Sequence, residues 1–155
     1  EGDYLGWTHA DLQTDPGDIV KAYKIIAKHN SNNLFVKGLR GKRPPFDTLF
    51  TIGMSLFESL YFRENLYDIN AQPNVFPRDF FMSWDNPPYD FSIDLYALLK
   101  ARKNGLEVHR FKVNFPERIH GQSSWNTDIS GKINMIKRTL MFSYQLKHDG
   151  FGGEK

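Results

Sequence analysis

Three side chains that commonly bind metal ions alternate near the start of the chain: His9, Asp11 and Gln13. Alternate residues of an extended backbone point to the same side, so an imidazole, a carboxylate and an amide oxygen could converge on one divalent cation. Polar residues just after a strand are also common as turn or helix-cap residues. The spacing therefore predicts either a metal site or ordinary turn and helix-cap residues between a strand and a helix.

Two later loops combine positive charge with glycine, and the second also contains two serine hydroxyls, which suits them to bind phosphate. An arginine fork matches two phosphate oxygens, and glycine allows the backbone to approach closely. Short basic loops are also often simply solvated, and this alternative stays open for both. The candidate ligands are Arg40 and Arg43 in residues 39–45, and Arg118 and Ser123 in residues 117–125.

One acidic residue, Asp94, falls in the first turn of a helix that the sequence predicts between Asp90 and Asn104. An acid at this position stabilises the helix dipole, and this alone explains its presence. A carboxylate at a helix start that faces a cleft can also act as a general base. Asp94 is therefore the candidate catalytic residue.

Hydrophobic periodicity and turn residues predict the elements that position these side chains. Strands are expected near Tyr4 and over Leu34–Gly38, Asn74–Phe76 and Leu106–Phe115; helices over Pro16–His29, Phe46–Arg63, Asp90–Asn104 and from Asp128 or Ser130 to Leu146; and a helical turn over Phe80–Trp84. This order predicts an α/β sheet covered by helices. The polar candidates follow strands, where open sheets of this class bind ligands.

Two helices could touch a membrane surface. The apolar helix Phe46–Arg63 is long enough to lie on a bilayer, but Asp47 and Glu58 favour packing in the core. Its predicted buried stripe is Phe50, Met54, Phe57, Leu60 and Tyr61. In the first α-helix, Ile19, Val20, Tyr23, Ile26 and Ala27 are predicted to face the core. The last helix is basic and amphipathic, so it could contact anionic lipid, although packing on the domain is favoured.

Composition excludes several classes of protein. The 155 residues suit one domain, and 40% hydrophobic with 25% charged residues is typical of a soluble globular chain. A net charge of +2 is too small to indicate nucleic-acid binding. The absence of cysteine excludes disulfides and thiolate chemistry, and no apolar run is long enough to span a bilayer.

Five motifs occur in a fixed order: Ala10–Pro16, Lys37–Arg40 followed by Arg43, Asp68 before Phe76–Arg78, Phe91–Asp94, and Phe115–Ser124. Together they make residues 3–126 resemble the second half of a GT-A fold glycosyltransferase of family 2. The similar branch contains dolichol-phosphate mannose synthase and bacterial polyprenyl-phosphate or lipopolysaccharide sugar transferases. The resemblance implies a three-layer sheet with helices on both faces that lacks its N-terminal nucleotide-binding strands.

The resemblance also implies roles for the candidate residues. Asp11 would be the principal ligand of a manganese or magnesium ion, Gln13 a supporting oxygen, and His9 stands where the family usually has an aspartate. The arginines, with Ser123, would lie near donor or acceptor phosphates. Asp94 would be the base for a hydroxyl acceptor.

The implied reaction transfers a sugar, with inversion, from a nucleotide-sugar donor to a lipid-phosphate or saccharide acceptor. Residues 1–149 would be the C-terminal part of one domain, 150–155 a loose tail, and the isolated chain would bind donor weakly. The expected location is cytoplasmic, with peripheral contact at the membrane face. Two alternatives remain: a metal-dependent or carboxylate-pair hydrolase that uses Asp11 with Asp68 or Asp94, and a non-catalytic carbohydrate-binding module.

Overall fold

The computed structural model describes residues 2–10, 14–41, 45–116 and 129–148. The predicted order of elements is confirmed, with boundaries that shift by a few residues. The elements are β1 (Tyr4–Trp7), α1 (Gly17–His29), β2 (Leu34–Arg40), α2 (Pro45–Phe62), β3 (Asn74–Pro77), α3 (Arg78–Met82), α4 (Ile93–Lys103), β4 (Glu107–Val113) and α5 (Ile129–His148). The predicted tail, residues 150–155, lies outside the described residues.

The four strands form one open mixed sheet in the order β1-β3-β2-β4. Strand β3 is antiparallel to both β1 and β2, whereas β2 and β4 are parallel. Strands β1, β2 and β4 therefore run in the same direction and end at the edge of the sheet where β3 begins. The α/β class is as predicted, and the chain leaves β1 and β2 at this common edge.

Alternation along the strands gives the sheet a helix on each face. Leu34 and Val36 lie in a cluster with Ile26 of α1. Phe35, between them in sequence, points to the other face, where it stacks on Phe76 and clusters with two alanines of α4. The described elements thus make three layers, and the face toward α4 carries the functional candidates.

Helix α2 does not bury the stripe that the sequence predicts. Leu60 is 72% exposed and Phe57 is 37% exposed, whereas Ser55 and Glu58 are buried. The prediction is wrong because α2 is apolar on nearly every side, so periodicity alone does not say which face turns inward. The inward face of α2 makes a polar contact with α5: the Ser143 hydroxyl donates to Oε1 of Glu58 at 2.7 Å.

Helix α1 also differs in part from its predicted pattern. Ile26 is fully buried as expected, but Val20 and Tyr23 are about half exposed. Ala22, which the pattern did not single out, is buried instead. The helix therefore contacts the sheet through a narrower stripe, because a small residue at the point of contact brings the helix close.

Helix α5 packs on the domain, as predicted, through Leu146, which joins the core cluster that includes Leu66 and three leucines of α4. Contact of its basic side chains with lipid stays a prediction. Among the described residues, none of the helices combines the length and the apolar character that crossing a bilayer requires.

Candidate functional site

A row of polar side chains crosses the sheet near the edge where β1 and β2 end. Trp7 of β1 is in register with Asn74 of β3, Asn74 with Lys37 of β2, and Lys37 with Arg110 of β4. Residues in register lie on the same face of a sheet, and this face is the one that also holds Phe35 and looks toward α4. We call Trp7, Asn74, Lys37 and Arg110 the polar row.

Asp94, in the first turn of α4, lies over this row and is 4% exposed. Its Oδ1 accepts hydrogen bonds from Asn74 Nδ2 at 2.8 Å and from Trp7 Nε1 at 3.1 Å. Its Oδ2 accepts one from Gln72 Nε2 at 3.2 Å. Three N–H donors offset the loss of water around the carboxylate, and one lone-pair position on Oδ2 is left for another donor.

Lys37 is fully buried beneath Asp94. Its Nζ donates to Asn74 Oδ1 and to the carbonyl oxygen of Ala71, both at 2.7 Å. Burial lowers the pKa of Lys37 to about 7, while Asp94 nearby opposes this change and Arg110 adds to it. Because Lys37 holds the oxygen of the Asn74 amide, the amide nitrogen of Asn74 is turned toward Asp94.

Gly38, next to Lys37, lets the loop that carries Gln72 approach the sheet. A Cβ atom added at Gly38 would lie 2.2 Å from the carbonyl oxygen of Gln72. The Gly38 amide donates to the carbonyl of Pro73 at 2.9 Å, which ties the loop to β2. The glycine is therefore a steric requirement of the site, since only hydrogen fits between the strand and the loop.

Gln72 also presents an acceptor beside Asp94. It is 8% exposed, and within the described residues its Oε1 has no hydrogen-bond partner. A buried amide oxygen without a partner is unfavourable by about 1–3 kcal/mol unless a ligand or water donates to it. Gln72 Oε1 therefore keeps unused acceptor capacity beside Asp94, and both side chains are more than nine-tenths buried.

Arg40, a predicted phosphate ligand at the end of β2, is paired with Asp68. Arg40 Nε donates to Asp68 Oδ1 at 2.7 Å, Nη2 donates to the same oxygen, and the Arg40 backbone amide donates to Asp68 Oδ2 at 2.8 Å. Two of the three guanidinium nitrogens are thus held by Asp68. Phosphate binding by Arg40 stays a prediction, and it would use the side of the guanidinium that faces away from Asp68.

His9 and Arg40 flank the same aromatic ring. The imidazole ring of His9 lies 5.9 Å from the ring of Phe115, and Arg40 Cζ lies 5.4 Å from the centroid of that ring. The loop after β1 and the loop after β2 therefore come together at Phe115, as expected for residues that leave the same edge of the sheet. The hydroxyls of Thr8 and Thr14, 2.9 Å apart, join the two sides of the segment that contains Asp11 and Gln13.

Several predicted site residues lie outside the described residues, so the structure neither groups nor separates them. They are Asp11 and Gln13 of the predicted metal site, and Arg43, Arg118 and Ser123 of the predicted phosphate site. In the part of the chain that the structure describes, no three histidine, aspartate or glutamate side chains lie close enough to hold a metal ion. The manganese or magnesium site therefore stays a prediction.

Sequence reasoning missed most of what surrounds Asp94. Lys37 was the available signal, because a lysine directly after Leu34–Val36 interrupts an apolar strand and would be buried there. The alternation of Asp68, Asn70 and Gln72 leaves a site wall and turn residues as alternatives. In the structure Gln72 contacts Asp94, whereas Asp68 is paired with Arg40. Trp7 and Asn74 gave no signal, since their pairing depends on the antiparallel direction of β3.

Comparisons of the chain with protein-family models, with curated protein sequences and with solved structures found no match. No family is therefore assigned to the chain.

Proposed function

We propose that the chain is a GT-A-like glycosyltransferase of family 2, which transfers a sugar from a nucleotide-sugar to a saccharide or lipid-phosphate acceptor. The observation that carries the proposal is the hydrogen bond from Trp7 Nε1 to Asp94 Oδ1 at 3.1 Å. It joins the end of β1, two residues before His9, to the candidate base. The chain therefore enters the proposed cation-binding segment close to the proposed acceptor-side acid, and transfer between two bound substrates requires such proximity.

The side chains predicted as metal ligands after β1 are of types that bind divalent cations. Asp11 and Gln13 would hold manganese or magnesium, and His9 would favour manganese. Asp94 is not a suitable ligand, because three N–H donors already occupy its oxygens. When bound, the cation would neutralise charge on the donor diphosphate.

For a hydroxyl acceptor, the arrangement around Asp94 supports general-base catalysis. The acceptor hydroxyl would donate to the open position on Asp94 Oδ2, with Gln72 Oε1 as the alternative acceptor that orients it. As the acceptor oxygen bonds to the anomeric carbon, its proton passes to Asp94 and the nucleoside diphosphate leaves. Asn74 and Lys37 hold the carboxylate in place during this step. An acceptor phosphate, already anionic, would need no such base.

The test is an incubation with a panel of labelled nucleotide-sugars, manganese or magnesium, and saccharide or lipid-phosphate acceptors. We expect transfer of label to one acceptor class. With a hydroxyl acceptor, Asp94→Asn should reduce turnover by about 100-fold or more and leave donor binding intact. The replacement is accommodated sterically, because Gln72 can turn its amide oxygen toward the amide nitrogen that the substitution introduces.

Asp79→Asn is the matched control, since Asp79 is also an acid in the first turn of a helix but is exposed. It should retain turnover. Full turnover in Asp94→Asn with a hydroxyl acceptor would remove Asp94 from the mechanism. Hydrolysis of glycosides without transfer would instead support the carboxylate hydrolase, and sugar binding without any turnover would support the binding module.

A further inference from the structure

Helix α2 presents an apolar face to the outside of the molecule. Leu49, Ile52, Leu56 and Leu60 are each between 57% and 72% exposed. Their spacing of three, four and four residues places them along one side of an α-helix. Four large aliphatic side chains in a continuous row are unlike the scattered apolar residues that an ordinary protein surface carries.

The inward side of α2 includes two buried polar residues. Ser55 and Glu58 are buried, and Glu58 Oε1 accepts the hydrogen bond from Ser143. Lys147 of α5 also donates to the carbonyl oxygen of Tyr61 at 2.6 Å. Phe62 of α2 also packs on the core cluster that contains Leu66, so the inward side of the helix is mixed and the outward row is apolar. Contacts at both the middle and the end of the helix hold it in this orientation.

The surroundings of this face are positively charged. Helix α5, which contacts α2, contains no acidic residue between Ile129 and His148; it exposes Lys137, and Lys147 lies 4.0 Å from the centroid of the Tyr61 ring of α2. Arg138 is paired instead with Asp90. Just beyond the end of α2, Arg63 is exposed and Glu64 is half-buried. One of the two acids of α2, Glu58, is buried. An apolar row with cationic neighbours is complementary to a surface that is apolar inside and anionic outside.

We propose that the apolar face of α2, defined by Leu49, Ile52, Leu56 and Leu60, docks in the interfacial region of an anionic lipid bilayer. The helix would lie in the plane of the membrane, with the aliphatic side chains among the acyl chains and with Lys147, Lys137 and Arg63 near lipid phosphates. A second copy of the chain is the poorer occupant, because pairing two α2 faces would bring like charges together. Docking of this kind does not depend on glycosyltransferase activity.

The test is co-sedimentation of the chain with vesicles of phosphatidylcholine and phosphatidylglycerol, and with vesicles of phosphatidylcholine alone. We expect clear binding to the anionic vesicles, weaker binding to the neutral ones, and a decrease with added salt. The double variant Leu56→Gln with Leu60→Gln should bind the anionic vesicles at least about tenfold more weakly. Both positions are exposed, so the variant should keep its circular dichroism spectrum.

The matched control replaces two equally exposed apolar residues elsewhere, Val20→Gln with Met82→Gln, which are 53% and 67% exposed on α1 and α3. It should bind vesicles like the wild type. Equal binding by both double variants, equal binding to neutral and anionic vesicles, or no binding by the wild type would each overturn the proposal. A dimer in light scattering that the Leu56→Gln with Leu60→Gln variant abolishes would overturn it in favour of self-association.

Discussion

Lys37 and Glu58 are both buried ionisable residues, yet their surroundings differ. Lys37, in the polar row, donates to Asn74 Oδ1 and to the Ala71 carbonyl, and Asp94 lies beyond Asn74. Glu58, between α2 and α5, accepts one hydrogen bond, and its Oε2 has no hydrogen-bond partner within the described residues. Burial lowers the pKa of Lys37 and raises that of Glu58, each to about 7.

The difference separates a preorganised site from an interface between helices. Around Lys37, the hydrogen bonds run from strand to strand and end on Asp94, so burial of the charge positions a functional carboxylate. Glu58 accepts a hydrogen bond from Ser143, but this contact does not position a candidate functional side chain. The helix that carries Glu58 has its apolar row on the outside. Burying a carboxylate with so few donors is unfavourable, so the hydrogen bond from Ser143 offsets the loss of water around Glu58 only in part.

The largest expected effect comes from filling the space at Gly38. Gly38→Ala places a Cβ atom 2.2 Å from the carbonyl oxygen of Gln72, so the loop must move away from β2. We expect the free energy of unfolding to fall by about 4 kcal/mol, measured by urea denaturation. Displacement of the loop should also break the hydrogen bond between Gln72 and Asp94.

Gly53→Ala is the matched control in α2, because no described atom outside the helix's own backbone lies within 4 Å of a Cβ atom at that position. Alanine favours the helix, so this variant should be more stable by about 0.5–1 kcal/mol. If Gly38→Ala were as stable as the wild type, the close approach of loop and strand would be wrong.

The second prediction concerns the pH dependence that Lys37 produces. The unfolded chain binds the Lys37 proton below its ordinary pKa of 10.5, but the folded chain binds it only below about 7. Between these values the unfolded chain carries more protons, so raising the pH stabilises the fold by about 1.4 kcal/mol per pH unit. The variant Lys37→Met lacks this pH-dependent contribution to the free energy of unfolding.

The wild type should therefore gain stability relative to Lys37→Met by about 3 kcal/mol over two pH units above pH 7, measured by denaturation at each pH. Lys112→Met removes an exposed lysine from β4 and controls for the loss of one cation. A stability difference between the wild type and Lys37→Met that does not change with pH would show that Lys37 stays charged in the fold.

Sequence reasoning succeeded where local chemistry decides the outcome. Asn74–Phe76 was expected as a short strand, and the helix predicted to end at Asn104 ends at Lys103, two residues before Gly105 with its φ of 73°. Asp94 was placed in the first turn of a helix, and it is there. These features depend on a few neighbouring residues, so the sequence contains the information needed to predict them.

It failed where the outcome depends on residues distant in sequence. The direction of β3 decides that Asn74 lies between Trp7 and Lys37, and no local pattern specifies strand direction. The orientation of α2 depends on Ser143, which is 85 positions from Glu58. Whether Glu58 faces inward could not be read from a helix that is apolar on almost all sides.

The last prediction concerns Glu58, whose pKa is shifted less by burial than that of Lys37. The folded chain releases the Glu58 proton only near pH 7, whereas the unfolded chain releases it near 4.5, so raising the pH between these values destabilises the fold. Glu58→Gln keeps an acceptor for Ser143 but removes the charge. It should match the wild type near pH 4.5 and exceed its stability by about 3 kcal/mol above pH 7.

Denaturation of both proteins across this pH range measures the difference, and Glu107→Gln, an exposed glutamate of β4, controls for the loss of one carboxylate. A wild type that is more stable than Glu58→Gln above pH 7 would mean that the ionised carboxylate has a compensating partner. Lys37 and Glu58 would then both be buried groups with compensating partners. The ionised Glu58 carboxylate would stabilise the packing of α2 on α5 rather than destabilise it.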